Sequence, residues 1–285
     1  MYYLPSLLVF IFGTIIGSFL NVVILRYNTG MKIFAPKERS RCFSCGKKLQ
    51  AYELIPLFSF LLLGGKCSKC KSKISWQYPI VECITGLIFL LIFVKNLNLL
   101  DLSLTHFFAT TAFHLIVWSI LIVITFYDLK HKIIPNGLVY SLIVITFLGG
   151  VVFPAFNLTN LIAGIVFFFF FFSLWFFSGG RWIGFGDAKL SIAVGFLLGL
   201  TYGTSALILA FWIGAAISIF LILFSNIYKK ISSKAVRNNY LLAVAKNLTI
   251  KSEIPFAPFI ILGTLIVFFV SIDILGLSNL FIYFQ

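Results

Sequence analysis

Leu121-Ile122-Val123-Ile124-Thr125-Phe126-Tyr127-Asp128-Leu129 is the stretch on which the fold turns. An apolar run that begins near residue 107 continues to Phe126 and then meets a carboxylate almost at once. A second apolar stretch, 190–200, is entered through Gly184-Phe185-Gly186-Asp187-Ala188-Lys189, so another acid stands at its threshold. A carboxylate close to hydrocarbon is expensive, on the order of 2.5–3.5 kcal/mol at a helix centre. The chain carries only 8 Asp and Glu in 285 residues, so two of them at apolar helix ends point to chemistry. Carboxyls that can approach each other share a proton and activate water for amide hydrolysis.

Outward from these sites, the rest of the chain reads as membrane helix. It is 61% hydrophobic and 11% charged, its mean hydropathy is +1.08, and Phe (35 residues) is the main apolar filler. Apolar runs fall near 4–25, 78–94, 107–126, 137–153, 161–177, 190–200, 204–224 and 256–275. Each spans or nearly spans a bilayer, which takes roughly 20 apolar residues. The fold class is therefore all-α, a polytopic membrane bundle of about eight transmembrane helices. The 190–200 run is short and Gly-rich, so its limits are the least defined. Phe167 to Phe172 reads as lipid-facing bulk.

The first run is expected to be a retained helix and not a cleavable signal. No basic residue precedes it, no small-x-small site closes it, and Arg26 follows it. That places the N-terminus outside and Arg26 in the cytoplasm. Threading eight spans from there puts 26–77, 127–136, 178–189 and 225–255 inside, and these segments hold all but one of the 22 Lys and Arg; Lys95 is the exception. The asymmetry is the positive-inside pattern. It explains the net charge of +14 by attraction to anionic membrane lipids, so nucleic acid is not an expected partner. Asp128 and Asp187 are 59 positions apart, yet this threading sets both at the inner face.

Between the first two helices lies a cytoplasmic loop, about 26–77, with Cys42-Phe43-Ser44-Cys45 and Cys67-Ser68-Lys69-Cys70. Two C-x-x-C turns separated by 21 residues suit a four-thiolate zinc site, each pair chelating from one tight turn. Redox pairs and free thiols remain alternatives; a disulfide fits a reducing compartment poorly. A closed four-Cys site has no open position, so its metal would fold the loop. Cys83, in an apolar helix, reads as packing. The loop also holds Glu53-Leu54-Ile55-Pro56-Leu57-Phe58-Ser59-Phe60-Leu61-Leu62-Leu63, whose apolar part is too short to span and reads as re-entrant or interfacial. Glu53 reads equally well as a solvated charge or a functional acid, whereas Glu82 lies inside an apolar helix.

Taken together, these motifs resemble the bacterial type IV prepilin peptidases, the leader peptidase and N-methyltransferase family of membrane aspartyl proteases. The matching residues run in order: Gly17-Ser18-Phe19-Leu20-Asn21-Val22-Val23-Ile24, the two cysteine pairs, Glu53-Leu54-Ile55-Pro56-Leu57 and Tyr78-Pro79-Ile80-Val81-Glu82. Asp128-Leu129, Ile134-Pro135-Asn136 and Gly184-Phe185-Gly186-Asp187-Ala188-Lys189 complete the series. Each motif alone is weak; GxGD also occurs in presenilin-like and preflagellin proteases. Two departures stand out. Phe43 sits where family knuckles often have Pro, and Tyr27-Asn28 where Leu-Pro commonly follows the first helix.

The resemblance implies that Asp128 and Asp187 are the catalytic pair. Gly184 and Gly186 would admit a substrate backbone, and Lys189 would support Asp187 or bind a phospholipid head group. It implies a division into an N-terminal part, 1–105, and a peptidase domain, 106–285. The implied substrates are type IV prepilin or pseudopilin precursors, cut after Gly at the cytoplasmic face of the bacterial inner membrane. The new N-terminal residue, usually Phe, would then be methylated from S-adenosylmethionine, with Glu53 and Glu82 as candidate cofactor residues. Two alternatives use other classes: an ion- or proton-coupled transporter built on the same two aspartates, and a scaffold of a secretion system.

Overall fold

The computed structural model describes residues 3–30, 40–152, 158–231 and 255–277. Its helices are α1 (Tyr3–Arg26), α2 (Phe58–Leu62), α3 (Gln77–Asn96), α4 (Leu104–His131), α5 (Asn136–Val152), α6 (Leu158–Ser178), α7 (Phe185–Ile231) and α8 (Ala257–Val270). Among the described residues α1, α3, α4, α6 and α7 are long and apolar enough to cross a bilayer; α5 and α8 are shorter apolar helices. Most of the basic tract expected inside at 225–255 falls outside the described residues, as do residues 31–39 of the first loop. Two compact units divide the chain, Met1–Phe126 and Tyr127–Gln285, with the boundary inside α4.

In the first unit, α1 packs on α3 through a small-residue seam. Gly13 and Gly17 are four apart and share one helix face. A Cβ on Gly13 would come within 2.8 Å of the Gly86 Cα, and one on Gly17 within 2.8 Å of the Glu82 Cα. Lipid tails are as apolar as side chains, so such a pair is held by close backbone approach and by polar links between helices. One turn further along α1, the Asn21 amide donates to the Tyr78 carbonyl at 3.2 Å. At the opposite end of α3, Asn96 bonds Thr111 of α4 at 3.1 Å.

The second unit is arranged around a reversal within α7. Gly199 has φ 70° and ψ −174°, a conformation essentially restricted to glycine. Contacts with α6 reveal the direction on each side. Along the first arm they run backwards, from Phe185 at Phe172 to Phe196 at Gly164 and Asn160. Along the second they run forwards, from Gly203 at Phe167 to Phe211 at Phe171. Both arms therefore lie on α6, and the two apolar runs 190–200 and 204–224 are separate segments, as the sequence implies. The break frees the Phe196 carbonyl, and the Asn160 side chain donates to it at 3.1 Å. α8 closes the unit with Gly263 on the Ala206 carbonyl of the second arm.

Gly199→Ala would force a strained backbone and press a methyl group onto Asn160, 3.1 Å away. The expected loss is about 1–3 kcal/mol, read as a lowered midpoint of thermal unfolding in detergent. An unchanged midpoint would contradict the reversal.

Candidate active site and metal centre

The end of α4 presents Asp128 and the first turn of α7 presents Asp187; both are buried. Their carboxyls are close enough to interact electrostatically. The backbone N–H of Ala257, the first residue of α8, donates to Asp128. Pro258 in the first turn of α8 has no N–H of its own and marks the helix start. Asp187 Oδ2 accepts the Gly184 N–H at 3.1 Å, which satisfies one orphan donor of the helix N-terminus, where negative charge is favoured. Its Oδ1 is buried with no partner. Three elements thus converge on two acids and leave one carboxylate oxygen uncommitted.

Of the two glycines before Asp187, only Gly186 is required by local packing. A Cβ on Gly184 would meet Asp187 Oδ2 at 3.4 Å, and one on Gly186 would meet Ile134 at 2.9 Å. Gly186 therefore seats Ile134, whereas the sequence-based expectation had its space open for substrate backbone. Lys189 is committed elsewhere than to Asp187. It is buried, donates to Asn136 Oδ1, and lies 4.8 Å from the Phe185 ring centroid and 5.3 Å from that of Tyr140. Among the described residues it forms no ion pair with Asp187.

In the first unit the four cysteines come together. Cys42, Cys45, Cys67 and Cys70 place all four Sγ atoms within 4.8 Å of one another, and Cys42 and Cys70 sulfurs are 3.8 Å apart. A tetrahedral ion with metal–sulfur bonds of about 2.3 Å separates its sulfurs by about 3.8 Å, so the cluster fits a metal. The two knuckles are copies of one turn. Gly46 N–H bonds the Cys42 carbonyl and Lys71 N–H the Cys67 carbonyl, and Gly46 (φ 67°) and Lys71 (φ 57°) hold equivalent left-handed positions. The Cys45 backbone N–H, then the Ser72 hydroxyl, pull the Cys42 thiol down to about 6. Cys45 is pushed up to about 11: the Lys47 N–H favours its thiolate, but burial and the neighbouring sulfurs outweigh it. Four cysteine sulfurs at this spacing could hold a metal ion.

Glu53 is neither solvated nor free. Its carboxylate accepts from the Lys47 ammonium at 2.8 Å, from the Gln50 N–H at 2.9 Å and from the Ser68 hydroxyl. Lys47 follows the first knuckle and Ser68 lies inside the second, so Glu53 ties them together. These partners, Lys47 foremost and then Ser68 and Gln50, hold its carboxyl down to about 2. Glu82 is also committed, through its Oε2, to the Leu57 N–H at 2.8 Å. Leu57 is the centre of a tight turn (φ 60°, ψ −48°) closed by the Phe58 N–H on the Pro56 carbonyl at 2.6 Å. Such a turn is strained, and backbone near a membrane needs internal partners; Glu82 supplies one. None of these long-range partners follows from the local sequence pattern, although Lys47, Ser68 and Asn136 all lie in or beside the motifs.

Comparison with known proteins bears on both units. Residues 11–96 match the Bacterial Peptidase A24 N-terminal domain, and residues 115–219 match the Type IV leader peptidase family. A prepilin leader peptidase/N-methyltransferase of Aeromonas salmonicida (strain A449) is 32% identical over 247 residues, covering 77% of this chain and 82% of the relative. The protein of that name in Bacillus subtilis (strain 168) is 31% identical, over 73% of this chain and 79% of its own. A third, in Vibrio cholerae, is 31% identical over 71% and 81%. No solved structure matches the chain.

Glu53→Ala would strand the Lys47 ammonium and untie the knuckles. Metal affinity, measured by chelator competition on purified protein, is expected to fall roughly 10–100-fold, the range for losing an outer-shell partner. Wild-type affinity in this variant would rule out the brace.

Proposed function

The chain belongs to the type IV leader peptidase family, and we propose that it cuts the leader from prepilin-like precursors with Asp128 and Asp187 as its catalytic pair. One observation carries the assignment: two buried acids from α4 and α7 lie within electrostatic reach of each other, and Asp187 Oδ1 lacks a partner. Like charges at short range do not ionise together, so the pair holds one proton and titrates as a unit. The ionised member takes a proton from water, and the protonated member donates to the scissile carbonyl oxygen. The proton then passes to the departing amine as the tetrahedral intermediate collapses. No observation favours the transporter alternative.

The substrates are type IV prepilin or pseudopilin precursors; the relatives' names specify prepilins. The enzyme sits in the bacterial inner membrane with the pair at the cytoplasmic face. The distribution of Lys and Arg supports that orientation. Cleavage falls after Gly, where the basic leader meets the apolar helix. Cys42, Cys45, Cys67 and Cys70 hold a structural Zn2+ that folds the loop. The matched stretches end at 96 and resume at 115, which supports a division near 105 between the N-terminal part and the peptidase domain.

The second activity is N-methylation of the new N-terminus, as the relatives are named; S-adenosylmethionine supplies the methyl group when bound. Glu53 and Glu82 do not fit as its direct ligands. The Glu53 carboxylate is taken by Lys47, Ser68 and Gln50, and Glu82 Oε2 by the Leu57 N–H. Their contribution is to hold the first unit in shape, and no step of methyl transfer is assigned to them.

Co-expression with a pilin precursor, followed by mass spectrometry of the pilin, tests the reading. The wild type should remove the leader and add a methyl group to the new N-terminus. Asp128→Asn and Asp187→Asn should each abolish cleavage while remaining in the membrane, and the double variant should be no worse, because residues acting as one unit are not additive. Substantial cleavage by either single variant would sink the two-aspartate mechanism.

A further inference from the structure

Lys189 is a buried cation that the proposed chemistry does not use. Its ammonium meets a neutral acceptor, Asn136 Oδ1, and two ring faces, those of Phe185 and Tyr140. A buried ammonium is costly unless its surroundings are built for it. An apolar side chain would pack α7 on α5 without that cost, so the charge has to contribute something else. Charge–dipole and cation–ring contacts are directional, whereas an apolar seam tolerates slippage.

The geometry identifies what is being fixed. Lys189 lies two residues beyond Asp187, roughly 200° around the helix, so it grips α7 from the side opposite the acid. Asn136 begins α5 and ends the short connection that leaves α4 just after Asp128. The same connection is held a second time, by Ile134 in the space left by Gly186. The first turn of α7 therefore grips the α4–α5 connection on both sides of Asp187 in sequence, at Gly186 and at Lys189.

We propose that Lys189 is the positioning residue of the aspartate pair: through Asn136 it locks the α7 turn carrying Asp187 to the connection that anchors Asp128. This rests on the peptidase reading above. The lock acts on the approach of two reacting groups, so loosening it lowers turnover and leaves substrate binding alone. Misplacement by about 1 Å is enough to slow an oriented reaction about 100-fold.

The test is steady-state leader cleavage on a synthetic precursor, with kcat and KM separated, for wild type and a set of variants. Thermal unfolding of each serves as the fold control. Asn136→Leu strands the ammonium and should lower kcat about 100-fold with KM within about twofold. Asn136→Asp keeps an acceptor at the same place and should retain most of kcat. Lys189→Met should lower kcat by less than Asn136→Leu, since it leaves no unpaired charge. The double variant, Lys189→Met with Asn136→Leu, should match Lys189→Met, because both lack the same lock and neither leaves an unpaired charge. Should Asn136→Leu fail to fold, Asn136→Gln keeps the amide but shifts it by one methylene, and the kcat loss should appear there with unfolding unchanged.

Additive losses in the double variant, an unchanged kcat in Lys189→Met, or a loss confined to KM would each overturn the proposal. Failure of the peptidase reading looks different. In that case the wild type leaves the precursor intact, or Asp128→Asn cuts as well as the wild type, and the lock falls with it.

Discussion

A carboxylate buried in a membrane protein must be answered by N–H donors, and this constraint organises both units. Four acids are buried among the described residues, and each accepts a backbone N–H at a point where regular helix starts or breaks. Glu53 takes that of Gln50, Glu82 that of Leu57, Asp128 that of Ala257 and Asp187 that of Gly184. In the first unit Glu53 also takes Lys47 and Ser68, and Glu82 joins α3 to the Leu57 turn, so both act as fasteners. In the second, Asp187 Oδ1 alone among the described buried carboxylate oxygens has no partner. That difference separates the acids that hold structure from the pair assigned to chemistry.

The same logic connects the knuckle loop to the membrane helices. The segment from Glu53 to Leu57 is pinned at one end to the knuckles, through Lys47 and Ser68, and at the other to α3 through Glu82. Phe60, in α2, lies over Gly65 and against Trp76, giving the short apolar stretch a second attachment to the loop. The two cysteine turns and the apolar stretch between them are therefore one folded piece of the first unit. A metal at the cysteines would stabilise that whole piece, in a loop otherwise too small for a core.

Much of this was legible in the sequence, for physical reasons that can be named. Apolar runs report helices because a bilayer requires them, and even the doubtful division at 190–204 reappears as the reversal at Gly199. Cysteine spacing reports the four-sulfur cluster because a knuckle is local. Asp128 and Asp187 stood out because acids are rare in this chain. The partners of Glu53, Glu82 and Lys189 did not, since hydrogen bonds between residues far apart in sequence leave no periodic trace. Lys189 shows the limit well. A lysine two residues from an acid reads as its counter-ion, yet a helix turns the two side chains apart, and the ammonium faces Asn136, Phe185 and Tyr140. Gly186 likewise reads as room for substrate until Ile134 is found there.

The central claim is that residues 59 positions apart in the sequence form one site. The most direct measurement replaces both with thiols, Asp128→Cys with Asp187→Cys, and treats membranes with a short bifunctional thiol reagent. Mass spectrometry of the digested protein then identifies which peptides are joined. Convergence of α4 and α7 predicts that the peptides containing positions 128 and 187 are linked to each other. Separate modification of the two positions, with no linked peptide, would contradict it.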